Sequence, residues 1–386
     1  MTKIIKILLC VVIIMTISAG MWSCTSEPEV TAPETPSEVN TTPEEGQKTD
    51  NAPETRAVTD IAGRTVEIPS VPGKIATMPG PTYEMVFMLG AKDQIGLVRE
   101  DHATVYPLAL LTNPALAGYT TIANVGPQTP VNVEEFISKG VDLVIYYNIP
   151  QELEKFDMAG IPAVVVNWSP VEPTNLEETI ADQKNQILFT SELLGGEAPE
   201  RYSKWCEYMD ETVDFIQSRT SQIPESEFPV VYWGNSWGTN ILATWVTTSN
   251  EHIVNLCGGK LVGPEKGGKF PEITLEQLIA WNPDVIIVDN HGHDPVTIIE
   301  QLRTDAEWAS LPAVKNDRLH RIPSGVFFLD KGTSRVVYYL WLAKQLHPDV
   351  FEDVDLIAEM QYYFQTFYDY DMTVEEAEQA LQGWGK

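Results

Sequence analysis

One helix-and-strand unit occurs twice in this chain. In each copy a Glu lies in a short amphipathic segment, apolar residues follow it at helical spacing, and an Asp opens an apolar run typical of a buried parallel strand. Glu134 precedes Asp142, and Glu276 precedes Asp284, by the same eight positions. We therefore predict two α/β lobes. Helix–strand packing does not require an acid at the position of the shared Glu, so this residue points to a role on the surface.

The size and charge of the chain restrict its class. It has 386 residues, of which 43% are hydrophobic, enough for two or three domains. Its formal net charge is −30 at pH 7. A surface this acidic repels phosphate groups, so we exclude nucleic acid as a partner.

The N-terminus carries the pattern of an export signal. Lys3 and Lys6 precede an apolar run over residues 7–17, which is typical of a secretory signal peptide and too short to span a membrane stably. The segment that ends at Cys24 resembles a bacterial lipoprotein signal, in which residues 1–23 are removed and the cysteine is lipidated. This resemblance implies an extracytoplasmic protein that is anchored to the cell membrane through a lipid only.

The rest of the chain divides by composition. Residues 24–57 consist largely of Pro, Glu, Thr and Ser, and such a segment buries too little apolar surface to fold, so we predict a disordered tether. The predicted folded parts are an N-terminal α/β lobe at 58–172, a helical section with the long inter-lobe helix at 173–225, and a C-terminal α/β lobe at 226–386.

Strands and helices alternate in both predicted lobes, which is typical of parallel sheets with helices on their faces. Residues 58–69 form a predicted β-hairpin around Gly63. Residues 199–219 form a predicted helix about 30 Å long, enough to cross between the lobes. In the second lobe, residues 229–232 and 240–244 are predicted strands. The fold class is thus α/β, with two Rossmann-like lobes.

Several short motifs, in their order along the chain, resemble one known family. They are Val58-Thr59-Asp60 with Gly63-Arg64, the loop and helix of 79–90, Asn282-Pro283-Asp284, Ala313-Val314-Lys315-Asn316, and His347-Pro348-Asp349-Val350-Phe351. Together, over about residues 56–384, they resemble the metal-chelate substrate-binding proteins of ABC importers, which bind ferric siderophores, haem or vitamin B12. The resemblance implies two lobes joined by one long helix, with the ligand cleft between them.

The resemblance also assigns a role to the repeated acids. Glu134 and Glu276 are expected to dock to the permease, which works with its ATPase, one Glu from each lobe. Salt bridges across a transient interface would steer that docking. The expected protein is a monomer with no catalytic residue and no cofactor of its own.

The ligand is expected beyond the carboxyl ends of the strands. The candidate ligand-binding residues at these ends are Pro79, Gly80, Thr82, Arg99, His102, Tyr146, Tyr147, Trp168, Trp233, Asn235, Trp237, Trp245, His291, His293, Phe327 and Phe328. Aromatic rings dominate this set and cations are few, with Lys331 and Arg335 as further candidates. We therefore predict a chelate of low net charge, held by ring contacts and a few polar groups.

His291 and His293 leave a function of another class open. Two imidazoles beside Asp294 suit zinc or iron, and the chain would then be an extracytoplasmic metalloenzyme. A catalytic zinc site needs at least three protein ligands, however, and Pro295 stands where a further His would complete the pattern. We expect no directly bound metal.

The predicted function is capture of an iron chelate of the ferric siderophore type and its delivery to a permease. The same role for a corrinoid such as vitamin B12, for haem or for molybdate stays open. A bare oxyanion would use backbone amides near Gly80 and Thr82. After loss of the signal, Cys206 and Cys257 are the remaining cysteines besides Cys24, and both are expected to be buried thiols.

Overall fold

Two parallel sheets form the framework of the protein. The computed structural model describes residues 54–103, 106–122, 126, 129–167, 169–235, 240–244, 247–264, 271–290 and 294–383. The predictions for the signal peptide, for Cys24 and for the tether up to residue 53 lie outside the described residues. Among the described helices, none has both the length and the apolar character needed to cross a membrane.

The N-terminal lobe contains a hairpin, a five-stranded sheet and flanking helices. Its elements are β1 Thr55–Thr59, β2 Thr65–Pro69, β3 Ile75–Thr77, α1 Gly80–Met88, β4 Ile95–Arg99, α2 Pro107–Thr112, β5 Thr121–Ile122, α3 Val133–Lys139, β6 Leu143–Ile145, α4 Pro150–Met158 and β7 Ala163–Val164. β1 and β2 pair antiparallel, as predicted, and Gly63 in their turn has a φ of +80°. The sheet order is β5-β4-β3-β6-β7, with all pairs parallel.

Two long helices follow. They are α5 Leu176–Leu194 and α6 Ala198–Thr220. The Asn175 side chain caps α5 by accepting a hydrogen bond from the Glu178 amide, and Gly195, with a φ of +65°, ends it. α6 has 23 residues, contains the whole predicted helix of 199–219, and buries Trp205 completely.

The C-terminal lobe repeats the layout around a four-stranded sheet. Its elements are β8 Val230–Gly234, α7 Thr248–Leu256, β9 Lys260–Val262, α8 Leu275–Trp281, β10 Val285–Val288, α9 Pro295–Thr304, α10 Pro312–Lys315 and β11 Leu319–Arg321, followed by α11 Arg335–Leu346, α12 Leu356–Tyr368 and α13 Val374–Leu381. The order β11-β10-β8-β9 is parallel throughout. The chain is therefore α/β with two parallel sheets, as predicted.

The structure differs from the sequence prediction in a few elements. Residues 240–244 form a turn with isolated bridges and not a strand, because the Asn240 side chain accepts a hydrogen bond from the Leu242 amide at 2.8 Å. The short strands β5 and β9 were missed. β1 begins at Thr55, three positions before the predicted start of the folded part at 58.

The two repeated units occupy equivalent places in the two sheets. The Asp142 amide donates to the Lys74 carbonyl at 3.0 Å, and its carboxylate accepts from the Gly73 and Lys74 amides at 2.9 and 3.0 Å. In the second lobe the Asp284 amide donates to the Val230 carbonyl at 2.8 Å, and its carboxylate accepts from the Val230 amide at 2.9 Å. Each Asp thus joins the start of one central strand to the start of its neighbour.

One continuous hydrophobic core connects the lobes. It includes Val98 from the first sheet, Trp205 from α6, Trp233 from the second sheet and Tyr363 from α12. The opposite face of each sheet has a smaller core of its own. A large rotation of one lobe against the other would break contacts in the shared core, which favours small lobe movements.

A buried carboxyl group strengthens this connection. Glu84 on α1 is fully buried, and its Oε1 accepts hydrogen bonds from Thr333 Oγ1 at 3.0 Å, the Ser334 amide at 2.9 Å and Tyr368 Oη at 3.2 Å. Burial raises the pKa of the Glu84 carboxyl above its usual value, although these hydrogen bonds act in the opposite direction. The first helix of the N-terminal lobe is thereby bonded to the start of α11 and to the end of α12 in the C-terminal lobe.

Candidate ligand-binding site

Three neighbouring strands of the N-terminal sheet bring the predicted site residues of that lobe to one edge. β3 leads through Pro79 into α1, β4 ends at Arg99, and β6 is followed by Tyr147. β3 lies between β4 and β6, and all three strands run the same way, so their carboxyl ends meet. This edge is where open parallel sheets hold their ligands.

Arg99 is held in one orientation at this edge. Its Nε and Nη2 donate to the two carboxylate oxygens of Asp101 at 3.0 and 2.7 Å, and its Nη1 donates to Tyr147 Oη at 3.0 Å. The Tyr147 hydroxyl in turn donates to the Met78 carbonyl at 3.3 Å. Burial alone would lower the pKa of Arg99, but Tyr147 and Asp101 together raise it. The guanidinium is therefore charged, and Asp101 offsets most of that charge locally.

His102 follows directly and is buried. Its ring centroid lies 5.6 Å from that of Tyr83 and 6.0 Å from those of Tyr106 and Phe327. Within the described residues, neither ring nitrogen has a hydrogen-bond partner. Burial lowers the pKa of His102 to about 4, so the imidazole is neutral near pH 7.

Aromatic rings from both lobes meet beside this histidine. We call His102, Tyr106, Phe327 and Phe328 the interlobe aromatic cluster. Tyr106 lies 5.1 Å from Phe327 and 5.5 Å from Phe328, and the two Phe rings are 4.7 Å apart. The Phe327 ring also covers Gly80, where a Cβ atom would lie only 2.4 Å from Phe327 Cζ. The predicted residues Gly80, His102, Phe327 and Phe328 are thus brought together, and the lobes touch there.

The C-terminal lobe contributes a second group of residues. Trp233, near the end of β8, donates from Nε1 to Asp289 Oδ2 at 3.1 Å, and Lys331 Nζ lies 5.7 Å from the Trp233 ring centroid. Asn235 has a φ of 71° and donates from Nδ2 to the Asp289 carbonyl at 2.9 Å. Asp289 therefore fixes both predicted residues, Trp233 and Asn235.

Some predicted residues lie elsewhere or have their polar groups occupied. Tyr146 is completely buried in the small core of the N-terminal sheet, 5.0 Å from Phe156, which favours a packing role over ligand contact. The amide and hydroxyl of Thr82 both donate to the Pro79 carbonyl, at 2.9 and 2.6 Å. Trp168, Trp237, Trp245, His291 and His293 lie outside the described residues.

Sequence reasoning missed three side chains that the structure places against the candidate residues. Asp101 and Tyr106 lie in the connection after β4, and Asp289 follows β10. The acids directly follow strand ends, which is a signal that could have identified them. Nothing in the sequence pattern distinguishes Tyr106.

The two repeated acids are exposed. Glu134 lies in the first turn of α3 and Glu276 in the first turn of α8. A helix that precedes a parallel strand runs opposite to it, so both first turns lie on the carboxyl side of their sheets. Thr274 begins α8 with a capping box that it forms with Gln277.

Metal-binding side chains do not converge in the part of the chain that the structure describes. No group of three or more His, Cys, Asp or Glu residues there could hold an ion. Cys257 is buried and Cys206, on α6, is half-buried, and neither takes part in a disulfide. The prediction of two buried thiols is therefore correct for Cys257 only.

Known proteins share both the sequence pattern and the fold. The molybdate-binding protein MolA of Haemophilus influenzae is 32% identical over 101 residues, which are 26% of this chain and 28% of that relative. The vitamin B12-binding protein of Vibrio campbellii is 24% identical over 217 residues, covering 54% of this chain and 68% of the relative. The solved structure of the molybdate periplasmic binding protein MolA of H. influenzae, bound to molybdate, superposes with a TM-score of 0.71 at 20% identity, over 82% of this chain and 99% of that one.

A family match covers more than half of the sequence. The family described as "Periplasmic binding protein" matches residues 75–326, which contain both sheets and the helices between them. The chain belongs to the periplasmic binding protein family, a family of substrate-binding proteins and not of enzymes.

Proposed function

We propose that this protein is the extracytoplasmic solute-binding component of an ABC importer. It captures a metal chelate of low net charge, of the ferric siderophore type, and delivers it to the permease. The permease binds Glu134 and Glu276, and lipidated Cys24 keeps the protein at the membrane. Family membership and the exposed, equivalent positions of the two acids support this role.

The observation that carries the ligand class is the charge balance at the N-terminal edge. Arg99 is a cation at this edge, and Asp101 and Tyr147 accept hydrogen bonds from three of its five N–H donors. Burial lowers the pKa of the neighbouring His102 to about 4, so its imidazole is neutral near pH 7, and the side chains packed around it are aromatic. A strongly anionic complex would meet little uncompensated positive charge, whereas a nearly neutral chelate would gain from ring contacts and buried area.

Molybdate is the second candidate because one relative is a molybdate-binding protein. A bare oxyanion needs several free N–H or O–H donors. At the start of α1, the amide and the hydroxyl of Thr82 are both bonded to Pro79, which removes two of the expected donors. This favours the chelate over the oxyanion.

A ligand panel with one variant tests the choice. Ferrichrome, haem, cyanocobalamin and molybdate would be titrated by calorimetry into the wild-type protein and into Arg99→Gln, with exposed Arg303→Gln as the control. A low-charge chelate should lose less than about tenfold in affinity in Arg99→Gln, since Asp101 already offsets the charge. Molybdate binding that vanishes in Arg99→Gln, with no chelate bound by the wild type, would overturn the chelate assignment.

A further inference from the structure

The helices α3 and α8, which carry Glu134 and Glu276, each have an exposed isoleucine as well. Ile137 on α3 is 55% exposed and Ile279 on α8 is 41% exposed. Each lies three residues after the repeated acid, so the Glu and the Ile are neighbours on the same helix face, one turn apart.

Packing of the helices does not account for these isoleucines. The residue that anchors each helix to its sheet is the one before: Phe136 in α3 and Leu278 in α8 are both fully buried. Single exposed apolar residues are common on protein surfaces. Here, however, the two isoleucines occupy the same position in two equivalent helices, and each lies beside an exposed acid. They therefore form a repeated surface feature.

We propose that Ile137 and Ile279, together with Glu134 and Glu276, form a two-part docking surface for a partner that presents the same receiving site twice. This proposal rests on the proposed function, and the partner is the permease at the membrane. Each receiving site combines a basic group for the Glu with an apolar pocket for the Ile. The acids steer the encounter and the isoleucines hold the complex, since burial of apolar surface is not screened by salt.

The test measures binding of the full-length protein to the permease–ATPase complex of its host, reconstituted in nanodiscs, at low and high ionic strength. The variant is Ile137→Gln with Ile279→Gln, which replaces the apolar side chain by a polar one and does not lower helix propensity. The control is Met158→Gln with Val350→Gln, which removes one exposed apolar residue per lobe at the end of α4 and in the loop after α11, where these residues are 75% and 37% exposed. A third protein carries Glu134→Ala with Glu276→Ala.

The isoleucine variant should bind the permease about tenfold more weakly for each residue changed, at both ionic strengths, whereas the control should bind like the wild type. The glutamate variant should lose affinity mainly at low ionic strength.

Weakened binding of the glutamate variant with unchanged binding of the isoleucine variant would overturn this inference alone. Absence of wild-type binding would overturn the proposed function itself. A shift in oligomeric state in the isoleucine variant, seen by light scattering, would assign the surface to a second copy of the chain instead.

Discussion

Glu84 shows how a single residue ties the two lobes together. Its carboxyl group is fully buried, it accepts three hydrogen bonds on one oxygen, and Gly332 lies so close that a Cβ there would be 2.0 Å from the other oxygen. No cation among the described residues pairs with it. The raised pKa of this carboxyl means that folding favours its neutral form.

This raised pKa predicts a specific pH dependence of stability. Above the usual Glu pKa of 4.5, the unfolded chain loses the proton while the folded protein retains it, so the free energy of unfolding falls as pH rises. We expect the free energy of unfolding, measured in urea from about pH 4 to about pH 7.5, to fall more steeply for the wild type than for Glu84→Gln. Parallel curves for the two proteins would show that Glu84 does not take up a proton on folding.

At the residue scale, the strand ends predicted candidate residues but not how their side chains pair. Arg99, His102 and Tyr147 were chosen by that rule, and the structure shows Arg99 and Tyr147 hydrogen-bonded to each other. Their partners Asp101 and Tyr106 lie in an irregular connection, where the path of the backbone decides which groups meet. Tyr146, next to Tyr147, was predicted as a contact because both follow β6, but successive side chains of an extended chain point to opposite sides.

At the scale of elements, the two aspartates give the repeated unit a physical reason. Asp142 and Asp284 each bind amides at the start of the neighbouring strand, so the spacing that marked the repeat in the sequence also sets the alignment of the central strands. The long helix α6 was predicted well because its periodicity extends over many residues. β5 and β9 have two and three residues and each begins with a polar residue, so neither carries the all-apolar run by which the equally short β6 was recognised.

The aspartates allow a graded prediction. Asp142→Ala removes the acceptor for two amides and Asp284→Ala the acceptor for one, so both should lower the free energy of unfolding by about 1–3 kcal/mol, and Asp142→Ala by more. Asp157→Ala, at an exposed side chain that pairs with Arg64 at 3.6 Å, should have little effect. Equal losses for all three variants in urea unfolding would mean that the strand-start bonds add no stability.

At the scale of the whole molecule, the lobes are joined by more than one helix. The long inter-lobe helix was predicted, whereas the shared core, Glu84 and the interlobe aromatic cluster depend on contacts far apart in sequence. Such contacts leave no periodic pattern, so they could not be predicted from one sequence. They indicate that the lobes move little when ligand enters.

A substitution at Gly80 tests directly whether the two lobes meet at the Phe327 ring. A methyl group at this position would overlap the Phe327 ring, and the ring is enclosed by His102, Tyr106 and Phe328. Gly80→Ala should therefore push the lobes apart, increase the radius of gyration in small-angle scattering, and cost about 1–3 kcal/mol of stability. Gly118→Ala, where a Cβ meets no atom within 4 Å, is the control. An unchanged radius with an unchanged melting temperature would show that the lobes do not meet at Gly80.

The membrane anchor is tested separately from the folded part. Cys24→Ser should release the protein from the membrane fraction without changing its thermal unfolding, because the residue precedes the folded body that begins with β1 at Thr55. Cell fractionation after signal removal measures this. Retention of the serine variant in the membrane would contradict anchoring through Cys24.

The direction of α3 and α8 has a consequence for the transport cycle. Both helices run opposite to the strands that follow them, so their first turns lie on the same side of the sheets as the strand ends that carry the candidate ligand-binding residues. A permease that binds these first turns would face the side of the sheets on which the ligand is bound. Release would then need only a slight separation of the lobes above the translocation path, without rotation of the carrier on the membrane.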